Sequence, residues 1–305
     1  MDQLPEVGFV GLGAMGAAMA MRLVDASIGL HVLDPDPRAT APFAERGAIL
    51  HTTPASVADA VEIVFACLPD AAVSMKVALG QDGIVNGRKA RVYVEMSTIG
   101  RGALEPISAG MRCKNVAVVD APVSGGPKAA RAGTLTIMLA GPPRSLEAVR
   151  PYVEIIGKNI FEVGETPGLA QTMKLVNNLI SAANMACAFE ALVYGAKAGL
   201  DPDLMVRIVN ASTGRNSATQ DKIPLAVLPG SFDYGARLGI LYKDVTLGLA
   251  EAEAAGVPMW ALTAVGQLWR FAVLQGGGDE DFTALIRYIE RWAGAEVRSS
   301  NPPAA

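Results

Sequence analysis

The first half of the chain alternates short apolar runs with longer stretches in which apolar residues recur every three or four positions. Short apolar runs predict buried strands, and the three-to-four spacing predicts amphipathic helices. The predicted strands cover 7–10, 30–33, 61–67, 90–95, 116–120, 135–140 and 159–163, and the predicted helices cover 17–24, 37–46, 71–79, 101–111 and 143–153. Strands that alternate with helices are typical of a mostly parallel sheet covered on both faces, which is a doubly wound α/β domain.

The pattern changes near Gly164, after which only helices are predicted. Residues 169–198 form one helical stretch without proline, which would be roughly 45 Å long at about 1.5 Å per residue. It is apolar on almost every face and therefore needs neighbours on all sides. Further helices are predicted over 201–212, 235–256, 258–275 and 279–293. We expect an α/β domain over 1–164, an all-α domain over 165–296 joined to it by the long helix, and a polar, proline-rich disordered tail over 297–305.

A glycine-rich segment, Gly11-Leu12-Gly13-Ala14-Met15-Gly16, lies between the first predicted strand and the first helix. In a dinucleotide-binding fingerprint the first glycine makes a tight turn, the second lets the backbone approach a pyrophosphate, and the third lets the helix pack on the strand. The alternative is an ordinary glycine-rich turn. The strand and helix on either side favour the fingerprint, and they predict a Rossmann-type domain.

Asp34 ends the second predicted strand, where a carboxylate accepts hydrogen bonds from the adenosine ribose and repels a 2′-phosphate. Arg38 follows closely and is the type of residue that accommodates that phosphate. The two carboxylates of Asp34 and Asp36 outweigh the single guanidinium of Arg38. We therefore expect NAD as the cofactor, with NADP as the alternative.

Composition adds limits to this interpretation. The chain has 305 residues, of which 51% are hydrophobic and 18% charged, and its formal net charge is −4. A chain of this length is predicted to form two domains with substantial cores. Its hydrophobic share predicts that much of the chain is buried, either in those cores or in an oligomer interface. The absence of a Lys/Arg run argues against a nucleic-acid partner. Three scattered cysteines, Cys67, Cys113 and Cys187, predict neither a disulfide framework nor a metal site. We expect a cytoplasmic protein with no membrane partner.

Few residues are available for proton transfer. The two histidines, His31 and His51, both fall in the nucleotide-binding half, and His31 is predicted to be a strand residue. Lysine is then the remaining proton carrier whose pKa burial and nearby positive charge can bring towards neutrality. Lys174 lies early in the long apolar helix and shares a face with Asn178, four residues later. A lysine whose charged end extends into solvent is the alternative.

Two loops are candidates for ligand contacts. Ser124-Gly125-Gly126 offers a hydroxyl and backbone N–H groups that no side chain obstructs, which suits a carboxylate, although a plain Gly-Gly turn has the same spacing. Leu68-Pro69 follows a predicted strand at the carboxyl edge of the sheet, where open α/β folds bind their ligands.

From residue 5 to 294 the sequence resembles the β-hydroxyacid dehydrogenase family, which includes 3-hydroxyisobutyrate dehydrogenases, tartronate semialdehyde reductases and 6-phosphogluconate dehydrogenases. The resemblance rests on the N-terminal signature over 7–23, the loops at 67–70 and 95–98, the loop at 120–126, the pair Lys174 and Asn178, and the pair Lys243 and Asp244. It implies that Lys174 is the catalytic general acid/base. The implied substrate-binding residues are Ser124, Gly125, Gly126, Asn178 and Lys243. The implied cofactor-binding residues are Gly11, Leu12, Gly13, Ala14, Met15, Gly16, Asp34, Leu68, Pro69, Val73, Thr98 and Lys243.

The implied activity is hydride transfer between NAD and a small 3-hydroxycarboxylate of the 3-hydroxyisobutyrate type, giving the semialdehyde or keto acid. The alternatives are an NADPH-dependent reductase of small aldehydes, of the tartronate semialdehyde or glyoxylate type, and an imine reductase, which usually replaces the lysine. The resemblance also implies a homodimer or homotetramer formed through the helical domain. Two departures from the family stand out. Ala170 replaces a usual glycine, which is expected to alter the pocket, and Arg215 is either a second anion-binding residue or a solvated charge.

Overall fold

The protein, described here as a computed structural model for residues 4–299, has two compact units. We call Met1–Lys174 the nucleotide unit and Leu175–Ala305 the helical unit. The strands of the nucleotide unit are β1 (Val7–Val10), β2 (Leu30–Leu33), β3 (Ile49–Leu50), β4 (Ile63–Ala66), β5 (Val92–Glu95), β6 (Ala117–Asp120), β7 (Val123–Ser124), β8 (Leu135–Ala140) and β9 (Gly157–Gly164). Its helices are α1 (Ala14–Asp25), α2 (Pro37–Ala44), α3 (Pro54–Ala60), α4 (Ala71–Leu79), α5 (Arg101–Arg112), α6 (Gly126–Ala132) and α7 (Pro143–Ile156).

The nine strands form one sheet in the order β3-β2-β1-β4-β5-β6-β8-β7, with β9 paired to β8. The first six strands of this order are parallel. β8 runs antiparallel to both β6 and β7, and parallel to β9. The predicted doubly wound, Rossmann-type arrangement is confirmed, because the parallel part has the dinucleotide-binding order 3-2-1-4-5-6.

Alternate residues of the strands face opposite sides of the sheet, and each side is buried. Phe9 and Phe65 stack on one side, with ring centroids 6.0 Å apart, in the cluster that includes Met19 of α1. Val64 and Tyr93 lie in the second cluster, with residues of α3, α4 and α5. Helices on both faces explain why the strands are almost uniformly apolar rather than alternating with polar residues.

Helix α8 (Leu169–Lys197) begins in the nucleotide unit and continues into the helical unit. The helical unit adds α9 (Pro202–Asn210), a π-helical segment (Ala218–Val227), α10 (Leu238–Ala254), α11 (Trp260–Leu274) and α12 (Leu285–Ala293). By length and composition α8 meets the criteria for a membrane-crossing helix, with a mean hydropathy of 1.4 in its most apolar window. That is weak evidence, because Met185 and Phe189 are fully buried in the core of the helical unit.

Several elements differ from the sequence predictions. The strand predicted over 61–67 is confined to Ile63–Ala66, and β3, β7, α3, α6 and the π-helical segment were not predicted. β3 and β7 have two residues each, which is too few to show the alternation of apolar and polar residues that predicts a strand. The helix predicted over 279–293 begins only at Leu285, because the carboxylate of Asp281 accepts N–H bonds from Gly235, Ala236 and Thr283 and so holds this stretch outside the helix.

The predicted tail begins too early. Val297 is fully buried, and its N–H donates to Glu290, which also forms an ion pair with Arg298 at 2.7 Å. Ser299 donates its N–H to the Leu228 carbonyl and its hydroxyl to Asp203. These contacts order 297–299, while the predicted tail residues 300–305 lie outside the described part of the chain.

Candidate active site

The loops that follow the parallel strands gather at the carboxyl edge of the sheet. β1, β2, β4, β5 and β6 run in the same direction, so the segments that follow them emerge at the same edge. These segments contain the fingerprint glycines, Asp34, Leu68, Thr98 and the Ser124 loop. This edge is where open α/β sheets bind their ligands.

The three fingerprint glycines fit a bound pyrophosphate. Gly11 has φ +89°, and a side chain there would collide with the Cys67 carbonyl. Gly16 lies so close to the Gly11 carbonyl that no Cβ fits between the helix and the turn. A Cβ on Gly13, in contrast, would meet nothing within 4 Å. Gly13 thus leaves open space at the start of α1, where Ala14 and Met15 occupy the first turn, and a phosphate can approach the helix N-terminus there.

Asp34 is held in place at the end of β2. Its Oδ2 accepts the N–H of Leu12 at 2.7 Å, and its Oδ1 accepts the N–H of Asp36 at 2.9 Å. The carboxylate therefore links the fingerprint loop to the end of the second strand, where the ribose of a dinucleotide binds. Arg38 forms a close ion pair with Asp36, 2.9 Å between Nη2 and Oδ2, and this hydrogen bond lowers the pKa of the Asp36 carboxyl.

A buried network fixes the Leu68-Pro69 loop after β4. Leu68 donates its N–H to the Ser97 hydroxyl at 2.7 Å, and the Ser97 N–H donates to Glu95 Oε1 at 3.0 Å. The Tyr93 hydroxyl donates to Glu95 Oε2 at 2.7 Å. Glu95 is completely buried, and this burial raises the pKa of its carboxyl. The network ties the Leu68 loop to the loop that carries Thr98, so both predicted cofactor contacts depend on one carboxyl group.

The remaining predicted contacts of the nucleotide unit lie on short turns. Val73, in the first turn of α4, donates its N–H to the helix-capping Asp70. Ser124 ends β7, and Gly125 and Gly126 follow with positive φ. A Cβ on Gly126 would meet nothing within 4 Å, so its backbone is open to a ligand.

Lys174 lies in the second turn of α8 and is 8% exposed. Gln171, three residues earlier and fully buried, anchors this end of the helix. Its side-chain Oε1 accepts the N–H groups of Ile99 and Gly100, and its Nε2 donates to the Ser97 carbonyl. The start of the helix that carries Lys174 is thus hydrogen-bonded to the loop that carries Thr98.

Asp120, the last residue of β6, also fixes the N-terminus of α8. Its Oδ2 accepts the N–H of Gln171 at 2.9 Å at the N-terminus of α8. Asp120 is completely buried, and this burial raises the pKa of its carboxyl to about 6, although backbone N–H groups of Gln171, Gly168 and Ala170 oppose the change. Ala170 is also buried, in a cluster with Met138 and Ala140 of β8. The methyl group that distinguishes this chain from the family pattern therefore packs against the sheet.

Asn178, Asp244 and Lys243 form a polar group in the helical unit, with one hydrogen bond and one ion pair. Asn178 Nδ2 donates to Asp244 Oδ2 at 2.6 Å, and Lys243 Nζ lies 3.1 Å from Asp244 Oδ1. The side-chain oxygen of Asn178, Oδ1, accepts a hydrogen bond from Nδ2 of Asn177 at 3.0 Å. Asp244, 4% exposed, therefore holds the Asn178 amide and lies beside the Lys243 ammonium. Asn178 lies one helical turn after Lys174 on α8, so their side chains share a face.

Sequence reasoning did not assign roles to Gln171, Asp120 and Asp244. Asp120 and Asp244 lie in motifs of the family resemblance, whereas Gln171 carries no signal beyond a polar residue in an apolar helix. His31, predicted to be a strand residue, is buried in β2 and hydrogen-bonds to His51 at 2.8 Å. Arg215 is exposed.

Comparison with known proteins identifies the family. Residues 6–164 match the family described as the NAD binding domain of 6-phosphogluconate dehydrogenase. Residues 168–289 match the family described as NAD-binding of NADP-dependent 3-hydroxyisobutyrate dehydrogenase. The chain belongs to the β-hydroxyacid dehydrogenase family. It is accordingly an NAD(P)-dependent oxidoreductase that acts on hydroxyl groups.

Individual members of the family align over nearly the whole chain. A 2-(hydroxymethyl)glutarate dehydrogenase from Eubacterium barkeri is 35% identical, over 97% of this chain and 99% of that protein. A 2-hydroxy-3-oxopropionate reductase from Escherichia coli is 33% identical, over 94% and 98%. The solved structure of a 3-hydroxyisobutyrate dehydrogenase from Mycobacterium tuberculosis, with L-serine, superposes with a TM-score of 0.86 at 26% identity, over 94% of this chain and 99% of that one.

Proposed function

We propose that this chain catalyses the reversible NAD-linked oxidation of a small 3-hydroxycarboxylate to the semialdehyde or keto acid. The observation that carries the proposal is the buried Lys174, one helical turn before an Asn178 whose amide Asp244 holds. A lysine and a fixed amide on one helix face suit a substrate hydroxyl, because the amine takes the proton and the amide orients the oxygen. When bound, the nicotinamide cofactor supplies or accepts the hydride.

Each remaining site residue has a role in this proposal. The hydroxyl of Ser124 and the backbone N–H groups of Gly125 and Gly126 bind the substrate carboxylate. Lys243, whose Nζ lies 3.1 Å from Asp244 Oδ1, is a further cationic contact for the bound substrate. Holding the carbinol carbon at the nicotinamide in a reactive geometry is expected to supply much of the rate acceleration.

The relatives indicate the substrate range within this class. Their names specify 3-hydroxyisobutyrate, 2-(hydroxymethyl)glutarate and 2-hydroxy-3-oxopropionate. The first two carry the hydroxyl on the carbon β to a carboxylate, as the proposed reaction requires. Reduction of 2-hydroxy-3-oxopropionate with NADPH is the same chemistry in the other direction, and it is the alternative physiological role.

The test is the substitution Lys174→Met, assayed by formation of reduced nicotinamide. Loss of the general acid/base is expected to lower kcat by roughly 10² to 10⁴, with cofactor affinity nearly unchanged. Lys197→Met, which removes an exposed lysine at the other end of α8, is the matched control and is expected to keep wild-type activity. A Lys174 variant that retained more than about a third of the wild-type kcat would refute the assignment.

A further inference from the structure

A chain of polar side chains crosses the outer edge of the nucleotide unit. Glu6, which precedes β1, contacts His31 of β2, with 3.1 Å between Oε2 and Nε2. His31 Nδ1 lies 2.8 Å from Nε2 of His51, the residue that follows β3. His51 Nδ1 in turn lies 3.1 Å from the hydroxyl of Ser56 on α3. We call these four residues the histidine chain, and it joins three strands to a helix.

The partners at the two ends of the histidine chain assign its protons. The Ser56 hydroxyl donates to the Thr53 carbonyl at 2.7 Å, so its oxygen accepts the hydrogen bond from His51 Nδ1. A neutral His51 then has an acceptor at Nε2, to which His31 Nδ1 donates. Because a carboxylate such as that of Glu6 only accepts, His31 Nε2 also carries a proton. His31 is therefore the cationic member of the pair and His51 the neutral one.

His51 cannot take up a second proton without breaking this arrangement. Protonation would occupy Nε2, remove the acceptor for His31 Nδ1 and place two cations side by side. Burial and the positive charge of His31 lower the pKa of His51 from its ordinary value of 6.5. If the edge opens, His51 binds a proton with its ordinary pKa, so a pH below about 6.5 favours the open form.

The charge that acts on His51 is that of His31, which pairs with Glu6. Charged groups of the neighbouring helices have other partners. Their ion pairs join Asp59 of α3 to Arg88, Arg38 at the start of α2 to Asp36, and Arg46, after the end of α2, to Asp25.

The strand that His51 follows has little else to hold it. β3 has two residues and lies at the edge of the sheet, and the side chains of Ile49 and Leu50 are half exposed. Little apolar burial therefore fixes its position. The His51 N–H donates to the Val32 carbonyl at 2.9 Å, two residues before Asp34. The position of His51 is thus coupled to the end of β2.

The end of β2 connects this edge to the cofactor site. On its other side the Gly11 N–H donates to the Leu33 carbonyl at 2.9 Å, and the Leu12 N–H donates to Asp34 Oδ2 at 2.7 Å. The last residues of β2 therefore lie between His51 and the fingerprint loop. A shift of this strand end moves the carboxylate that is expected to bind the adenosine ribose.

We propose that the histidine chain is a pH-sensitive switch on cofactor binding. With neutral His51 the chain holds β3 and the end of β2 in the form that binds the adenosine ribose. Proton uptake by His51 releases β3 and weakens binding of the dinucleotide. The inference concerns regulation of the proposed function, and it rests on the NAD dependence of that function and on the cofactor contact expected of Asp34. His31 and His51 are positioning residues that act through Asp34.

The test measures the Kd of ADP-ribose, which has the adenosine end of NAD and no nicotinamide, at about pH 7.5 and about pH 5. In the wild type the Kd is expected to rise by roughly 3- to 30-fold at the lower pH, because one titrating group changes an equilibrium by at most about tenfold per pH unit. His51→Gln keeps a donor and an acceptor but does not titrate, so it should lose most of this rise. Glu45→Gln, which removes an exposed carboxylate at the end of α2, is the matched control and should keep it.

A second measurement needs neither a variant nor a ligand. In the wild type, the protection of the His51 amide against hydrogen exchange is expected to fall at the lower pH relative to that of the Phe65 amide in the central strand β4. Equal Kd values for ADP-ribose at the two pH values would overturn the inference, and so would a full rise in His51→Gln. Protection of the His51 amide that followed that of Phe65 would also overturn it. The proposed reaction would survive these results, because Lys174→Met tests it separately.

Discussion

At the scale of single residues, we expect the choice between NAD and NADP to depend on Asp34. Both of its oxygens already accept backbone N–H groups, so the carboxylate cannot turn away from a ribose 2′-phosphate. Arg38, which would favour that phosphate, is paired with Asp36. We therefore expect the wild type to have the higher kcat/KM with NAD.

The substitution Asp34→Ser removes the repulsive charge. It is expected to shift the ratio of kcat/KM values towards NADP by roughly tenfold or more, which corresponds to about 1.4 kcal/mol. Asp36→Ser, which releases Arg38, should shift the ratio in the same direction. A wild type with equal or higher kcat/KM for NADP would contradict the role assigned to Asp34.

A second prediction at the residue scale concerns how the free energy of unfolding depends on pH. Folded Asp120 has a pKa of about 6, raised by burial from 3.8. Between these two values the folded state binds more protons than the unfolded state, so this carboxyl destabilises the fold progressively as pH rises through that window. The full effect is of the order of 2–3 kcal/mol and is constant above about pH 6.

Asp120→Asn removes the titrating group while keeping an oxygen that accepts the Gln171 N–H. Urea unfolding of both proteins from about pH 4 to about pH 8 should show the wild type losing stability relative to the variant up to about pH 6, with a constant difference at higher pH. A difference in unfolding free energy that did not vary over the whole range would show that Asp120 does not titrate in this way.

Sequence reasoning singled out candidate site residues whose chemistry is local, and it overlooked residues whose hydrogen bonds depend on distant partners. The fingerprint glycines and Asp34 lie within one βαβ unit, so their spacing predicts their function. Gln171, in contrast, bonds to Ile99 and Gly100, more than seventy residues away, and Asn178 bonds to Asp244, 66 residues away. No pattern along the chain specifies such pairs before the fold brings them together.

At the scale of elements, the start of α8 depends on Gln171. This side chain satisfies two buried N–H groups and one buried carbonyl of the loop over 97–100. In Gln171→Met those groups lose their partner, so the free energy of unfolding is expected to fall by about 2–4 kcal/mol. The KM for the cofactor should rise, because Thr98 lies on the same loop.

Two further variants make this test specific. Gln171→Glu keeps the acceptor for Ile99 and Gly100 but removes the donor to Ser97, so its stability should be intermediate. Thr172→Val changes an exposed neighbour on the same turn and should have little effect. If Gln171→Met melted at the wild-type temperature with an unchanged cofactor KM, the loop and the helix would not be coupled through this residue.

The elements that the sequence predicted best are long and periodic, and those it missed are short or irregular. α8 was predicted over 169–198 and covers Leu169–Lys197, because a long apolar stretch without proline has few alternatives. The π-helical segment was not predicted, because its hydrogen bonds join residues five apart instead of four. A 3.6-residue period therefore does not describe it. β3 and β7, of two residues each, are defined by pairing with neighbouring strands.

At the scale of the whole molecule, the helical unit exposes many large apolar side chains. On α8, Val176, Ile180 and Tyr194 are 42%, 55% and 76% exposed. Other exposed apolar residues of this unit include Leu204 and Ile208 on α9, Trp260 and Leu274 on α11, and Trp292 on α12. Exposed apolar surface on this scale is typical of a protein–protein interface. A second copy of the chain is the expected partner, since most oligomers are symmetric homo-oligomers and the two-fold dimer is the commonest.

We therefore predict at least a dimer in solution, with an interface formed mainly by residues beyond 164. Ile180→Lys places a charge on the exposed apolar face of α8 and should shift the species measured by light scattering towards the monomer, because an unpaired charge in an interface is strongly unfavourable. Phe161→Lys is the matched control, since Phe161 is 57% exposed but lies on β9 of the nucleotide unit. It should leave the assembly intact. A wild type that stayed monomeric at micromolar concentration would refute the oligomer, and dissociation caused by Phe161→Lys but not by Ile180→Lys would place the interface on the nucleotide unit instead.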